Sequence, residues 1–383
     1  MTSRASRLRA LMLSVAVALL ATSCIPLDVY LLSGDGMDGR DAGTAGGAAA
    51  REYILDRVVP RSVGPVSAVG ERERYQQPFT GGTNILALFP GTEHPDQVVM
   101  VGAHYDGLGE CGDPYIDLVC NGATDNATGV ALLLDLAERL AQDPPKRSVL
   151  LAFWDAEEDG LAGSEYYVDH PVVPLSELVA YVNVDLVGSN LLPTLANTSF
   201  AVGAESGGPA LVDAVHDAIG ATSLDVSQLS MVFGAGRSDH VAFVDHEVPT
   251  VYFSDSTGGC YHMAGDEYGT VDFTKLVKQN DVVDRTVRAL ADDGVTPTFQ
   301  TGAVATYDDL LNLLTVVERS EDDLHLFPPD AQADITQARA QLEQIRDDGR
   351  AAFGEDDMIT LLVSALHFVD YLAALPCDGY VTH

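Results

Sequence analysis

The sequence predicts an α/β protein with a mostly parallel mixed sheet at its core and a helical region at its C-terminal end. Three observations carry that expectation. Val98 to Gly102, Ser148 to Phe153 and Val179 to Val184 are short runs dense in Val, Leu and Ala, the pattern of strands buried on both faces. Stretches with apolar residues at helical spacing alternate with them. Beyond Asp293-Gly294 the strand pattern stops.

In order along the chain, residues 51–58 read as a short helix entering the domain. Val66 to Tyr75 and Asn84 to Phe89 suit an antiparallel hairpin, the second strand ending at Pro90-Gly91. Val98 to Gly102 is the first central strand. A helix over Gly129 to Leu140 follows, carried by Val130, Leu133, Leu134, Ala137 and Leu140 and ended by Pro144-Pro145. Ser148 to Phe153, Val179 to Val184 and Ser199 to Val202 continue the sheet. Pro209 to Ile219 is a helix with proline in its first turn. Val248 to Phe253 is a further strand and Val271 to Leu290 a further helix. Residues 307–319, 330–348 and 355–375 read as three amphipathic helices, so 51–294 is the expected main domain and 295–383 a helical appendage. In sheets of this kind, sites form beyond the carboxyl ends of the strands.

Composition narrows the function. Hydrophobic residues make up 46% of the chain, enough for a large core, and the net charge is −36. That charge argues against nucleic acid or anionic membrane surfaces as partners. Arg4, Arg7 and Arg9 precede an apolar stretch, Leu11 to Ala21, too short to span a bilayer comfortably, so residues 1–23 read as an export signal. Ala21-Thr22-Ser23-Cys24 resembles a bacterial lipobox, which makes Cys24 a candidate lipidation site; a plain cleaved signal is the alternative. The expected location is the outer membrane, periplasm or exterior, with membrane contact only through that lipid. Residues 24–50, rich in Gly, Ala and Asp, read as a flexible tether. Export places the other four cysteines in an oxidising compartment. Cys111 and Cys120 share one loop, so the simplest pairing joins them and leaves Cys260 to Cys377, one of three connectivities.

The chemistry sits at strand ends. His104 and Asp106 close the first central strand; a neutral imidazole can ligate a metal while the nearby carboxylate fixes its other ring N–H. Gly122 to Gly129 opens a helix, and its Asp125 either caps that helix or bridges two metals with its two oxygens. Glu157 and Glu158 directly follow a buried strand. Adjacent carboxylates raise one another's pKa unless a cation is present, and a metal would supply it. Glu158 could then ligate while Glu157 acts as a base. Asp185 ends the next strand, and His262, with Asp266 as a candidate orienting carboxylate, lies in a late loop. Nitrogen and oxygen donors without sulfur suit catalytic zinc, with cobalt or manganese as substitutes. Arg237, Ser238, Asp239 and His240 are a looser cluster, either a pocket rim or helix capping.

Together GAHYD, GATDNATG, FWDAEEDGLAGS, NVDLVG, SDH and CYHMAGD resemble the exported di-zinc aminopeptidases, a zinc exopeptidase group that includes glutamate carboxypeptidase and glutaminyl cyclase. The resemblance covers about residues 51–293. It implies a three-layer zinc-exopeptidase fold, two Zn2+ and peptide substrates. It assigns one zinc to His104 and Asp185, the other to Glu158 and His262, and the bridge to Asp125. Glu157 becomes the general base and Tyr261 a candidate oxyanion donor. It also makes Asp125-Asn126 a candidate cis peptide. Aminopeptidase activity is the expected function. Glutaminyl cyclase, whose members typically lack the first His ligand, and carboxypeptidase or dipeptidase activity are the alternatives; an inactive binding lipoprotein is a more distant one. The cysteine-bearing loop between His104 and Asp125 departs from the family pattern, and the C-terminal helices fall outside it.

Overall fold

A computed structural model describes residues 24–113, 117–234 and 236–377. The expected export signal at 1–23 lies outside the described residues. Among the described residues there are ten strands: β1 (Gln76–Phe79), β2 (Gly82–Phe89), β3 (His94–His104), β4 (Glu110–Asp113), β5 (Asp117–Val119), β6 (Arg147–Trp154), β7 (Leu178–Val184), β8 (Thr198–Val202), β9 (Asp225–Leu229) and β10 (Thr250–Ser254). The helices are α1 (Ile25–Leu32), α2 (Ala45–Val58), α3 (Thr128–Gln142), α4 (Ala162–Asp169), α5 (Gly208–Gly220), α6 (His240–Asp245), α7 (Phe273–Ala291), α8 (Tyr307–Arg319), α9 (Pro329–Asp348) and α10 (Glu355–Ala373).

Eight strands form one mixed sheet in the order β1-β2-β6-β3-β7-β10-β8-β9; β4 and β5 form a separate hairpin. The central strands β6, β3, β7 and β10 are parallel, and antiparallel pairs flank them. Strand alternation explains the two cores. Val99, Val101 and Ala103 of β3 and Val149, Leu151 and Phe153 of β6 face one side, packed by α1, α2, α3, α5 and α7. Val98, Met100, Leu150 and Trp154 face the other, against Tyr167 of α4 and Phe243 of α6. Each large apolar side chain buried this way contributes about 1.5–3 kcal/mol.

The C-terminal helices cover the far end of the sheet. Leu191, Phe200, Leu229 and Tyr252 pack with Val316, Ile335 and Leu372. The Thr306 hydroxyl and the Asp309 carboxylate form a capping box that starts α8, and Asp309 also accepts Ser230 N–H at 2.7 Å. Among the described residues no helix is long and apolar enough to cross a membrane.

Two expectations need correction. Residues 24–50 are not a loose tether: α1, the turn after it and the start of α2 are packed into the core, with Val29, Leu32 and Ala50 fully buried. The glycines that suggested flexibility allow close packing instead; a Cβ on Gly47 would meet Asp41 O at 2.5 Å. The first hairpin strand is β1 at 76–79 rather than 66–75. The turn at Thr80-Gly81, with Gly81 at φ +105, fixes the register, and Pro78 is tolerated because β1 is an edge.

Candidate metal centre

Parallel strands deliver the site residues to one edge of the sheet. His104 is the last residue of β3. Glu157 and Glu158 follow β6 in a turn, and Asp185 directly follows β7. Asp125 lies in the irregular turn Ala123–Ala127 that leads into α3. His262 arrives on the loop after β10. The Asp125-Asn126 peptide is cis. Ala156, Leu186 and His262 have φ of 57°, 56° and 57°, a left-handed conformation costing non-glycine residues about 1–3 kcal/mol each. Three strained residues at or beside the site's side chains mark a region shaped for more than packing.

The five expected ligands converge. His104 Nε2 lies 3.2 Å from Asp185 Oδ1 and 3.3 Å from Asp125 Oδ1. His262 Nε2 lies 3.1 Å from Glu158 Oε2 and 3.4 Å from Asp125 Oδ2. Asp125 therefore presents one oxygen to each imidazole. Zinc bound at about 2.0–2.2 Å in tetrahedral geometry places its donors about 3.3 Å apart, so these separations fit. Donor atoms of His104, Glu157 and Asp185 lie within 4.8 Å of one another, as do those of Asp125, Glu158 and His262.

The charges fit a cation as well. Burial pushes Glu157 up to about 10, with Asp239, Asp185 and Glu158 adding to the shift and His104 opposing it. Glu158 is also raised, by burial and by Asp125. Burial alone would lower His262, but Asp125 and Glu158 lift it to about 10; burial likewise opposes His104, which Asp185 and Glu157 raise. Burial would raise Asp125, yet the two imidazoles hold it well below the usual carboxylate range. Glu157, Glu158 and both imidazoles thus hold their protons above the ordinary range. The raised groups contribute stability in full below their ordinary pKa and lose it as pH climbs through their folded values; the Asp125 contribution is constant above about pH 5. Chelated protein is therefore expected to lose thermal stability from about pH 5 to about pH 10, with zinc restoring most toward the upper end. A chelated melting temperature that stays flat or rises across that window contradicts this.

Supporting residues are partly as expected. Asp106 lies 3.5 Å from His104 Nδ1, but its hydrogen bonds come from the Glu157 and Glu158 N–H groups, at 3.1 and 3.2 Å. It thereby aims both glutamates. Asp266 does not orient His262 as expected. Its carboxylate accepts the Thr124 and Asp125 N–H groups at 3.0 Å and the Thr124 hydroxyl at 2.8 Å. Its loop packs under that turn, through Ala123 N–H to Asp266 O, and so supports Asp125 instead. The Tyr261 ring stacks on His262 at 3.8 Å, and Tyr261 lines a cavity with Thr124 and Leu186, the neighbours of Asp125 and Asp185.

The 237–240 cluster splits. Arg237 is exposed, Ser238 accepts a hydrogen bond from Asn183 at 2.8 Å, and His240 is buried and stacked on Tyr252, so it is a core residue rather than a pocket residue. Asp239 is fully buried within the field of the centre, pushed by burial up to about 7. Disulfides join Cys111 to Cys120 and Cys260 to Cys377, the second tying the loop of Tyr261 and His262 to the end of the helical region. Cys24 is free and exposed. Sequence reasoning missed Arg40, a buried arginine beneath the 121–125 turn. One arginine in a Gly- and Asp-rich stretch gave no signal for it.

Sheet and site together define an α/β protein with a candidate metal centre of imidazoles and carboxylates at the strand ends. Residues 84–287, more than half of the chain, match Peptidase family M28, and the chain belongs to that family. A probable glutamate carboxypeptidase LAMP1 of Arabidopsis thaliana is 30% identical over 236 residues, covering 56% of this chain and 33% of that protein. A leupeptin-inactivating enzyme 1 of Streptomyces exfoliatus is 27% identical over 281 residues, covering 64% and 55%. The chain thus spans between a third and just over half of these curated relatives. Among solved structures, the glutaminyl cyclase of Porphyromonas gingivalis shares the fold with a TM-score of 0.55 at 19% identity, covering 70% of this chain and 98% of that one.

Proposed function

We propose that the chain is a zinc-dependent aminopeptidase that removes N-terminal residues from peptides. The observation that carries this reading is Asp125, whose two oxygens face His104 at 3.3 Å and His262 at 3.4 Å. That arrangement supports two metals sharing one carboxylate, and the pairing of His104 with Asp185 favours it over a one-metal cyclase. Zinc held there would supply Lewis-acid polarisation of a carbonyl and lower the pKa of water from about 16 to about 7.

The chain's own groups supply the rest. Glu157 accepts a proton from the attacking water and passes it to the leaving amine. The Tyr261 hydroxyl donates to the oxyanion. The carboxylates that crowd the centre, Asp125, Glu157, Glu158, Asp185 and Asp239, favour a substrate ammonium over a substrate carboxylate there. The small cavity lined by Asp125, Glu158 and His262 has no Lys or Arg among its lining residues, which disfavours capture of a C-terminal carboxylate. A panel of aminoacyl anilides, C-terminally free N-acetyl dipeptides and glutaminyl peptides tests the reading. Chelator-sensitive anilide hydrolysis supports it; action on only one of the other two substrates replaces it.

We also propose export with lipid attachment at Cys24. Cys24→Ala is expected to move the protein from the membrane fraction to the soluble fraction; unchanged fractionation contradicts the anchor.

A further inference from the structure

We propose that Arg40 is a positioning residue of the metal centre, setting the separation between the strand end that carries His104 and the turn that carries Asp125. The claim rests on the metal-centre reading above. Arg40 is 1% exposed, and it belongs to the N-terminal segment rather than to the sheet.

Its guanidinium has five N–H donors in a rigid plane. All five go to main-chain carbonyls. Nε donates to Tyr105 O at 2.9 Å, the residue between His104 and Asp106. Nη1 donates to Asn121 O at 2.6 Å and to Leu32 O at 2.8 Å. Nη2 donates to Gly122 O at 2.9 Å and to Asp125 O at 3.4 Å. One side chain thus clamps both segments that bring ligands to the centre, and α1 is the third point of attachment.

The surroundings are built for this side chain. Arg40 itself holds φ +55. Its own carbonyl accepts Gly107 N–H at 3.3 Å, and Gly39 O accepts Gly109 N–H at 3.1 Å, so the segment is stitched along the same loop. Gly122, at φ +52, leaves room for the guanidinium; a Cβ there would sit 2.9 Å from the Arg40 terminal nitrogen. Among the described residues Arg40 has no carboxylate ion-pair partner within 4 Å. Its charge instead lies in the combined field of Asp106, Asp125, Asp266 and Glu158. A cation close to two divalent metals does not attract them. Its benefit to the site is therefore geometric, while its charge makes the acid cluster tolerable before metal binds.

The test compares wild type, Arg40→Lys and Arg40→Gln in the full mature chain. Zinc affinity is measured by chelator competition, with kcat and KM at saturating zinc and circular dichroism to confirm folding. Lys keeps the charge but cannot span five carbonyls. Folded Arg40→Lys is expected to bind zinc about 10- to 100-fold more weakly, with a lower kcat and KM changed little, and Arg40→Gln more weakly still. Folded variants with wild-type zinc affinity and kcat, differing only in melting temperature, overturn the proposal and leave Arg40 as a packing residue. If both variants fail to fold, zinc affinity and kcat are read in Gly107→Ala, whose Cβ would sit 2.7 Å from Gly39 O and 3.5 Å from the Arg40 Nη2, pressing the arginine off its carbonyls without altering its side chain; wild-type affinity and kcat there also overturn the proposal. Wild-type protein that binds no zinc defeats the metal-centre reading itself, a separate outcome.

Discussion

Glu157→Gln is expected to lower kcat by about 10²–10⁴-fold while leaving the bound zinc and the fold unchanged. The amide matches the carboxylate in shape but cannot take a proton. The backbone around it stays in place, because Asp106 holds the N–H groups of residues 157 and 158 rather than the Glu157 side chain. Metal analysis of the variant beside its steady-state kinetics separates the two roles open to this residue. Loss of zinc together with activity would make Glu157 a ligand, an assignment its closeness to His104 and Asp185 also permits. Near wild-type turnover would remove it from the chemistry altogether.

Asp125→Asn is expected to act on the metals instead. The amide offers one good acceptor where the carboxylate offers two oxygens, and it removes a charge from between the two imidazoles. Zinc content should fall and kcat should drop by about a thousandfold or more. The fold should survive, since Asp266 bonds the Thr124 and Asp125 main chain rather than the altered side chain. An Asp125→Asn protein that retains full zinc and activity would show that the two sites do not share this residue.

Much of the site was legible because the strands that position it are nearly pure apolar runs ending in a chemical residue. β3 ends in His104, β6 is followed by Asp155-Ala156-Glu157-Glu158, and β7 by Asp185. Such strands need no periodicity to be recognised, since both faces are buried. β9 was not legible: Asp-Val-Ser-Gln-Leu is a half-polar edge strand whose outer neighbour is α8 rather than another strand. The short helices α4 and α6 carry too few turns for a periodic pattern to emerge. The N-terminal segment was misread for a different reason. Composition rich in Gly and Ala is shared by flexible linkers and by chain packed too tightly for larger side chains, and only the fold distinguishes them. Asp266 shows the same limit at one residue: a carboxylate four positions after His262 suggested an orienting partner, but the loop turns it toward the 124–125 main chain.

The central claim is that five side chains hold two metals that make the centre active. Zinc per chain in the purified protein, measured by mass spectrometry of the metal and paired with anilide hydrolysis before and after chelation, tests it most directly. The account predicts about two zinc ions per chain, with activity lost on chelation and regained on adding zinc. A single zinc at full activity, or hydrolysis that survives complete chelation, would contradict it.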